Sequence, residues 1–122
     1  MLDHVTIGVS NIDRSKTFYD KTLKPLDIER LYAEGAAFAG YGLNKKAFFW
    51  IGFRESVLSS VHIAFAAKDR AAVDAFHEAA LEAGGRDNGA PGLRPRYHAN
   101  YYGAFILDPD GHNIEAVYHS AV

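Results

Sequence analysis

Three side chains have the types and the placement to hold a metal ion: His4, His62 and Glu115. In Leu2–Val9, alternation puts Val5, Ile7 and Val9 on one face of a strand and His4, Thr6 and Gly8 on the other. Ser60–Ala66 repeats this, with Val61, Ile63 and Phe65 opposite His62, Ala64 and Ala66. In Asn113–Tyr118, Ile114, Ala116 and Tyr118 oppose Asn113, Glu115 and Val117. A carboxylate in mid-strand is rarely placed for structure alone. If the apolar faces lie under helices, the three polar side chains project into one concavity. Two imidazoles and a carboxylate are the donor set of a mononuclear Fe(II), Mn(II), Co(II), Ni(II) or Zn(II) site with positions left open for water or substrate. The spacing fits equally well with histidines satisfied by hydrogen bonds.

The elements that must position these residues follow from periodicity and punctuation. After the first strand, Ser10-Asn11-Ile12-Asp13 supplies capping side chains, and Phe18, Tyr19, Thr22 and Leu23 recur at helical spacing until Pro25, which predicts a helix over Ile12–Leu23. Strand-like runs follow near Ile28–Ala33, Ala37–Tyr41 and Ala47–Phe53, separated by Gly35, Gly42 and Asn44. Beyond Ser60–Ala66, Asp69 is a second cap, and Val73, Phe76, His77, Ala80 and Leu81 form an apolar stripe ended by Gly84-Gly85. A short strand is expected near Gly85–Asn88, within a loop rich in Gly, Pro and Arg over Arg86–Asn100. Tyr101–Leu107 and Asn113–Tyr118 then form a hairpin about Asp108-Pro109-Asp110-Gly111.

Both halves read βαβββ, so the fold class is α+β. A shift of 58 residues carries His4 onto His62, Asn11 onto Asp69, Phe18 onto Phe76 and Leu23 onto Leu81. In the later strands a shift of about 67 aligns Phe38 with Phe105 and brings Phe48 onto Glu115. A half of about 60 residues has little core of its own. One domain over 1–122 is therefore expected, with an internal repeat of 1–57 and 58–122 sharing one sheet system.

His4-Val5-Thr6-Ile7 and His62-Ile63-Ala64-Phe65, each opening a βαβββ unit, with Asp108-Pro109-Asp110-Gly111-His112-Asn113-Ile114-Glu115 near the end, resemble the vicinal-oxygen-chelate superfamily. That superfamily includes glyoxalases, extradiol dioxygenases, methylmalonyl-CoA epimerases, fosfomycin-resistance thiol transferases and bleomycin-binding proteins. The resemblance covers nearly the whole chain. It implies that His4, His62 and Glu115 are metal ligands for one divalent ion (Fe, Mn, Ni, Co or Zn). It also implies eight strands curled as a mixed sheet into a cup with helices on the convex side, and a homodimer in which the two histidines of one site can come from different chains. One departure stands out. Glyoxalase-type members take a fourth ligand from the last strand of the first unit, which here reads Ala47-Phe48-Phe49-Trp50-Ile51 and offers none.

Around the three ligands, Thr6 shares the face of His4, and Phe48, Trp50, Tyr101 and Tyr102 are candidates to wall a substrate pocket, Tyr102 being the one placed there. Alternation allows only one of Tyr101 and Tyr102 to face the cup. Arg96 and His98, with Arg94, lie in the Arg86–Asn100 loop and are candidate contacts to an anionic substrate. His112 is expected to be exposed at its turn, His77 and His119 to be surface or packing residues, and Asp108 and Asp110 to serve the turn. No general base is assigned.

The composition excludes other classes. Thirteen Lys and Arg against fifteen Asp and Glu, with no basic run, give no footprint for nucleic acid or an anionic membrane. The chain has no Cys, hence no disulfide or thiolate ligand. Met1-Leu2-Asp3-His4 is no charged-then-apolar leader, and no apolar run approaches the roughly 18 residues of a membrane span, so a cytoplasmic protein is expected. The leading expectation is a metal-dependent lyase, isomerase, transferase or dioxygenase acting on a small molecule chelated through two oxygens. The alternative is a metal-free binding protein of the bleomycin-resistance type.

Overall fold

The computed structural model describes residues 1–57 and 61–122. The element order is β1 (Val5–Val9), α1 (Ile12–Thr22), a single 3-10 turn (Lys24–Leu26), β2 (Glu29–Glu34), β3 (Phe38–Leu43), β4 (Lys46–Phe53), β5 (His62–Ala66), α2 (Arg70–Glu82), β6 (Arg86–Leu93), β7 (Tyr102–Leu107) and β8 (Asn113–Tyr118). The Ser60 start expected for the fifth strand lies outside the described residues; that strand is described from His62.

The α+β class and the two βαβββ units are as the periodicity predicts. The eight strands are arranged as two four-stranded mixed sheets, in the orders β1-β4-β3-β2 and β5-β8-β7-β6. In each sheet the opening strand runs parallel to the closing one, and the remaining pairs are antiparallel. Each helix is held at its start by the predicted cap. Asn11 accepts from the Arg14 N–H at 3.0 Å, and Asp69 accepts from the Ala72 N–H at 2.7 Å. Helix α2 stops where Gly84 turns to φ 99°.

Helix α1 buries Ile12, Ser15, Phe18, Tyr19 and Thr22, while α2 buries Ala72, Val73, Phe76, His77 and Ala80. Each helix covers its own sheet, and the two touch each other. Their faces join the inward residues of both sheets in one cluster, in which the Phe49 and Phe65 rings meet edge to face at 5.2 Å. Such a pair adds roughly 0.5–1.5 kcal/mol beyond area burial. The helices cover the apolar faces and leave the opposite faces of both sheets free for polar side chains.

Strand β6 is longer than the short strand expected near Gly85–Asn88. It runs to Leu93 with irregular pairing between Asp87 and Gly92, and contains Pro91. A proline is tolerated there because β6 is an edge strand, where a missing N–H breaks no inner ladder. Among the described residues no helix is long and apolar enough to cross a membrane.

Candidate functional site

Strand pairing carries His62 and Glu115 to one place. In the parallel β5–β8 ladder Ala64 stands beside Glu115 and His62 beside Asn113, all on the face away from α2. His62 Nε2 lies 2.7 Å from Glu115 Oε1, and the Tyr101 hydroxyl donates to Glu115 Oε2. Glu115 is 1% exposed, so its charge is compensated by these two donors rather than by water. Burial, and then the bond to Glu115, raise the Tyr101 pKa well above that of a free tyrosine, which keeps the phenol a donor. The Phe105 ring, paired with Glu115 on β7, lies 6.1 Å from the His62 ring and walls the site on one side.

His4 stands on the other sheet. Its Nδ1 lies 2.8 Å from Asp3 Oδ1, and Lys46 Nζ donates to the same oxygen at 2.8 Å. Bonds from Lys46 and His4 hold the Asp3 carboxyl below its ordinary pKa. With Nδ1–H donating, a neutral imidazole carries its lone pair on Nε2, the arrangement in which ligating histidines are oriented by a carboxylate.

The expectation that His4, His62 and Glu115 converge is therefore corrected for a single chain. His4 and His62 border one cavity of about 460 Å3 between the sheets, with Phe48 and Phe49 in its wall. Among the described residues, however, no three His, Cys, Asp or Glu side chains form a group that could hold an ion. The cause is the division into two sheets, which places one ligand on the first and two on the second. The donors themselves fit a metal. Two ligand bonds of about 2.1 Å meeting near a right angle span about 3 Å, close to the His62–Glu115 separation, and Asp3 leaves His4 Nε2 free.

Of the expected pocket residues, Thr6 and Trp50 are paired across β1 and β4 and flank a groove with His4. Phe48 lines the cavity between the sheets. Tyr102 is corrected: its hydroxyl donates to Asp74 on α2 at 2.6 Å and Arg70 lies 5.0 Å above its ring, so it faces the helix. Tyr101 takes the site position. Arg96 stacks at 5.0 Å on Tyr97 and donates to its hydroxyl, and the Tyr97 ring packs against Tyr101 at 4.8 Å. His98 bonds His119 at 2.9 Å and packs its ring against Tyr101, so it reaches the carboxylate only through that tyrosine.

One expectation about the hairpin turn is also corrected, and one is extended. His112 is 2% exposed: its Nδ1 accepts from the Val61 N–H at 3.1 Å, so Nε2–H donates to the Gly8 carbonyl at 2.7 Å. Asp108 and Asp110 serve the turn and in addition bind the first unit, through Tyr19 and through Ser10 with Arg14. Asp3 and Phe105 were not among the residues expected at the site.

Comparison with known proteins identifies the family and the fold. The family model described as Glyoxalase/Bleomycin resistance protein/Dioxygenase superfamily matches residues 1–116. A glyoxalase/bleomycin resistance protein from Albidiferax ferrireducens T118 superposes with a TM-score of 0.82 at 30% identity, covering 96% of this chain and 97% of that one. The metallothiol transferase FosB of Shouchella clausii is 28% identical over 93% of this chain and 77% of its own length. A lactoylglutathione lyase from Agrobacterium tumefaciens, at 14% identity and a TM-score of 0.69 over 97% and 92% of the two chains, shares the fold alone. The chain belongs to the glyoxalase/bleomycin resistance/dioxygenase superfamily.

Proposed function

We propose that the protein is a divalent-metal-dependent enzyme acting on a small molecule that binds the ion through two oxygens. His4, His62 and Glu115 would be the protein ligands, and the working unit a homodimer that brings His4 of one protomer to His62 and Glu115 of its partner. The observation that carries this reading is the buried Glu115 carboxylate, shared between His62 Nε2 and the Tyr101 hydroxyl on the uncovered face of a sheet. A carboxylate that only stabilised the fold would gain little there, since burying it costs several kcal/mol before pairing. The name of the curated relative, a metallothiol transferase, supports metal-dependent chemistry and favours group transfer among the lyase, isomerase, transferase and dioxygenase options.

When bound, a divalent ion supplies Lewis-acid stabilisation of a developing oxyanion and lowers the pKa of coordinated water or alcohol. The protein's residues prepare for this. Asp3 fixes the His4 tautomer and ring orientation; Tyr101 occupies one carboxylate oxygen of Glu115 and leaves the other toward His62. Phe105 lies beside the His62 ring, and Phe48 lines the cavity that both imidazoles border. Thr6, beside His4, can donate to a substrate oxygen.

Metal content tests the reading. Protein purified without chelator or metal resin is expected to carry near one equivalent by inductively coupled plasma mass spectrometry, and Glu115→Gln and His62→Ala to carry little. Absence of metal in wild type after reconstitution with Fe(II), Mn(II), Co(II), Ni(II) and Zn(II) would refute it and leave the metal-free binding protein.

A further inference from the structure

We propose that the groove on the uncovered face of β1, β3 and β4 binds a planar aromatic ring carrying a carboxylate, with the ring on Trp50 and the carboxylate on Arg54. The pairing registers identify the position. Thr6 pairs with Trp50 as Ala64 pairs with Glu115, and Gly40 pairs with Trp50 as Phe105 pairs with Glu115. Trp50 is therefore the first-unit counterpart of the buried carboxylate. The repeat offset here is 65, from 115 − 50, and the counterpart is not Phe48.

The strand beneath is shaped for the indole. A Cβ at Gly40 would lie 2.6 Å from Trp50 Cζ3, so only glycine lets the ring lie flat over β3. Tyr32 stacks on the indole at 5.7 Å and 15°, and Phe38 meets it edge-on at 5.9 Å. These rings are not core: Tyr32 is 53% and Phe38 40% exposed, whereas Tyr41 and Phe49 are fully buried. An aromatic tray facing solvent suits a flat partner, because offset and edge-on arrangements add to simple burial.

The charge comes from Arg54. Its stem crosses Gly8, where a Cβ would stand 2.8 Å from Cγ, so the guanidinium reaches over the same face. Among the described residues its hydrogen bond goes to the Phe53 carbonyl at 2.8 Å, whereas Arg14 and Arg30 bond carboxylates. The rest of its fork is left for an anion, and a carboxylate is the planar acceptor that matches it. Trp50, Phe38, Thr6, His4 and Arg54 border a groove of about 400 Å3, room for one or two fused rings. The inference rests on the metal-site reading only in setting this ligand beside His4, and binding can be measured without metal.

Trp50 is the sole tryptophan, so protein labelled with 5-fluorotryptophan gives one fluorine resonance that reports this groove directly. Chelator-treated protein is titrated with 2-naphthoate, 2-naphthamide and decalin-2-carboxylate. The expected result is a saturable shift with naphthoate, at least about fivefold weaker binding of the uncharged and the saturated analogue, and roughly tenfold or greater loss in Arg54→Gln. Gly40→Ala should move the resonance of the free protein and weaken naphthoate. No saturable shift up to the solubility of naphthoate, or equal affinity in Arg54→Gln, overturns the proposal. Metal content of Arg54→Gln should match wild type, so failure of the groove and failure of the metal site are read separately.

Discussion

Tyr101 and Tyr102 are adjacent, and their environments are opposed. The Tyr101 hydroxyl serves a carboxylate that is 1% exposed, while that of Tyr102 serves Asp74 on the exposed surface of α2. Removing a donor from a buried charged acceptor costs about 1–3 kcal/mol, and losing a screened surface bond roughly 0.5 kcal/mol. Tyr101→Phe should therefore lower the urea midpoint clearly and Tyr102→Phe hardly; equal effects would show that Tyr101 does not support Glu115. The choice between the two was within reach of the sequence. Leu107 pairs with Asn113 and Phe105 with Glu115, so odd-numbered residues of β7, extended back to Tyr101, share the face of Glu115. Counting outward from Asp108-Pro109-Asp110-Gly111 gives that parity. The role of Asp3 was not legible, because it precedes β1 and its reach to His4 Nδ1 depends on Lys46 from a strand remote in sequence. The Glu115 counterpart was misplaced by two residues because the offset between halves depends on irregular pairing in β6 that composition does not reveal.

At the scale of elements, the hairpin turn does more than reverse the chain. Asp108 accepts from the Tyr19 hydroxyl at 2.5 Å and from its own turn's N–H groups; Asp110 accepts from Ser10 and Arg14; His112 bridges Gly8 and Val61. The turn thus fastens the last hairpin to β1 and α1, which explains why a histidine expected at the surface is buried. Tyr19→Phe leaves a buried carboxylate short of one donor and should cost about 1–3 kcal/mol, against less than about 1 kcal/mol for Ser10→Ala, where Asp110 keeps the Ser10 N–H and Arg14 as donors. The order is checked by chemical denaturation, and a larger loss in Ser10→Ala would refute the clasp. Strand β6 is tied to α2 by His77 Nε2 and Asp87 Oδ1 at 2.9 Å. The bond from His77, then the Gly89 N–H, lower the Asp87 pKa. A depressed carboxylate stabilises the fold above its unfolded value near 3.9 and ceases to as pH falls through the lower folded value. Stability of wild type over Asp87→Asn should accordingly shrink on the acid side of about pH 4, and a difference independent of pH would exclude this linkage. The helices, caps and strand faces were readable because each rests on neighbours in sequence. Strand β6 was not, since Gly89, Pro91 and Gly92 read as loop and only an edge position admits them.

At the scale of the molecule, one chain presents two open-faced sheets, with His4 on the first and His62 and Glu115 on the second. Both histidines also border the cavity between the sheets, so a site within one chain and a site across two chains make different demands. Mixing variants separates them. His4→Ala and His62→Ala should each lose metal alone. If a site takes His4 from one protomer and His62 with Glu115 from its partner, a mixed dimer of the two variants contains one site with all ligands intact and one lacking both histidines. Statistical exchange makes half the dimers mixed, so co-refolding should restore about a quarter of the sites, read as metal per protomer. Ligands drawn from a single chain would restore none, because every chain in the mixture lacks one histidine. No recovery, with mixed dimers confirmed by native mass spectrometry, would reject the shared site. The outcome also bears on the groove of Trp50 and Arg54: with a shared site, the aromatic tray of one protomer would face the Glu115 of the other, and each ligand would touch both chains.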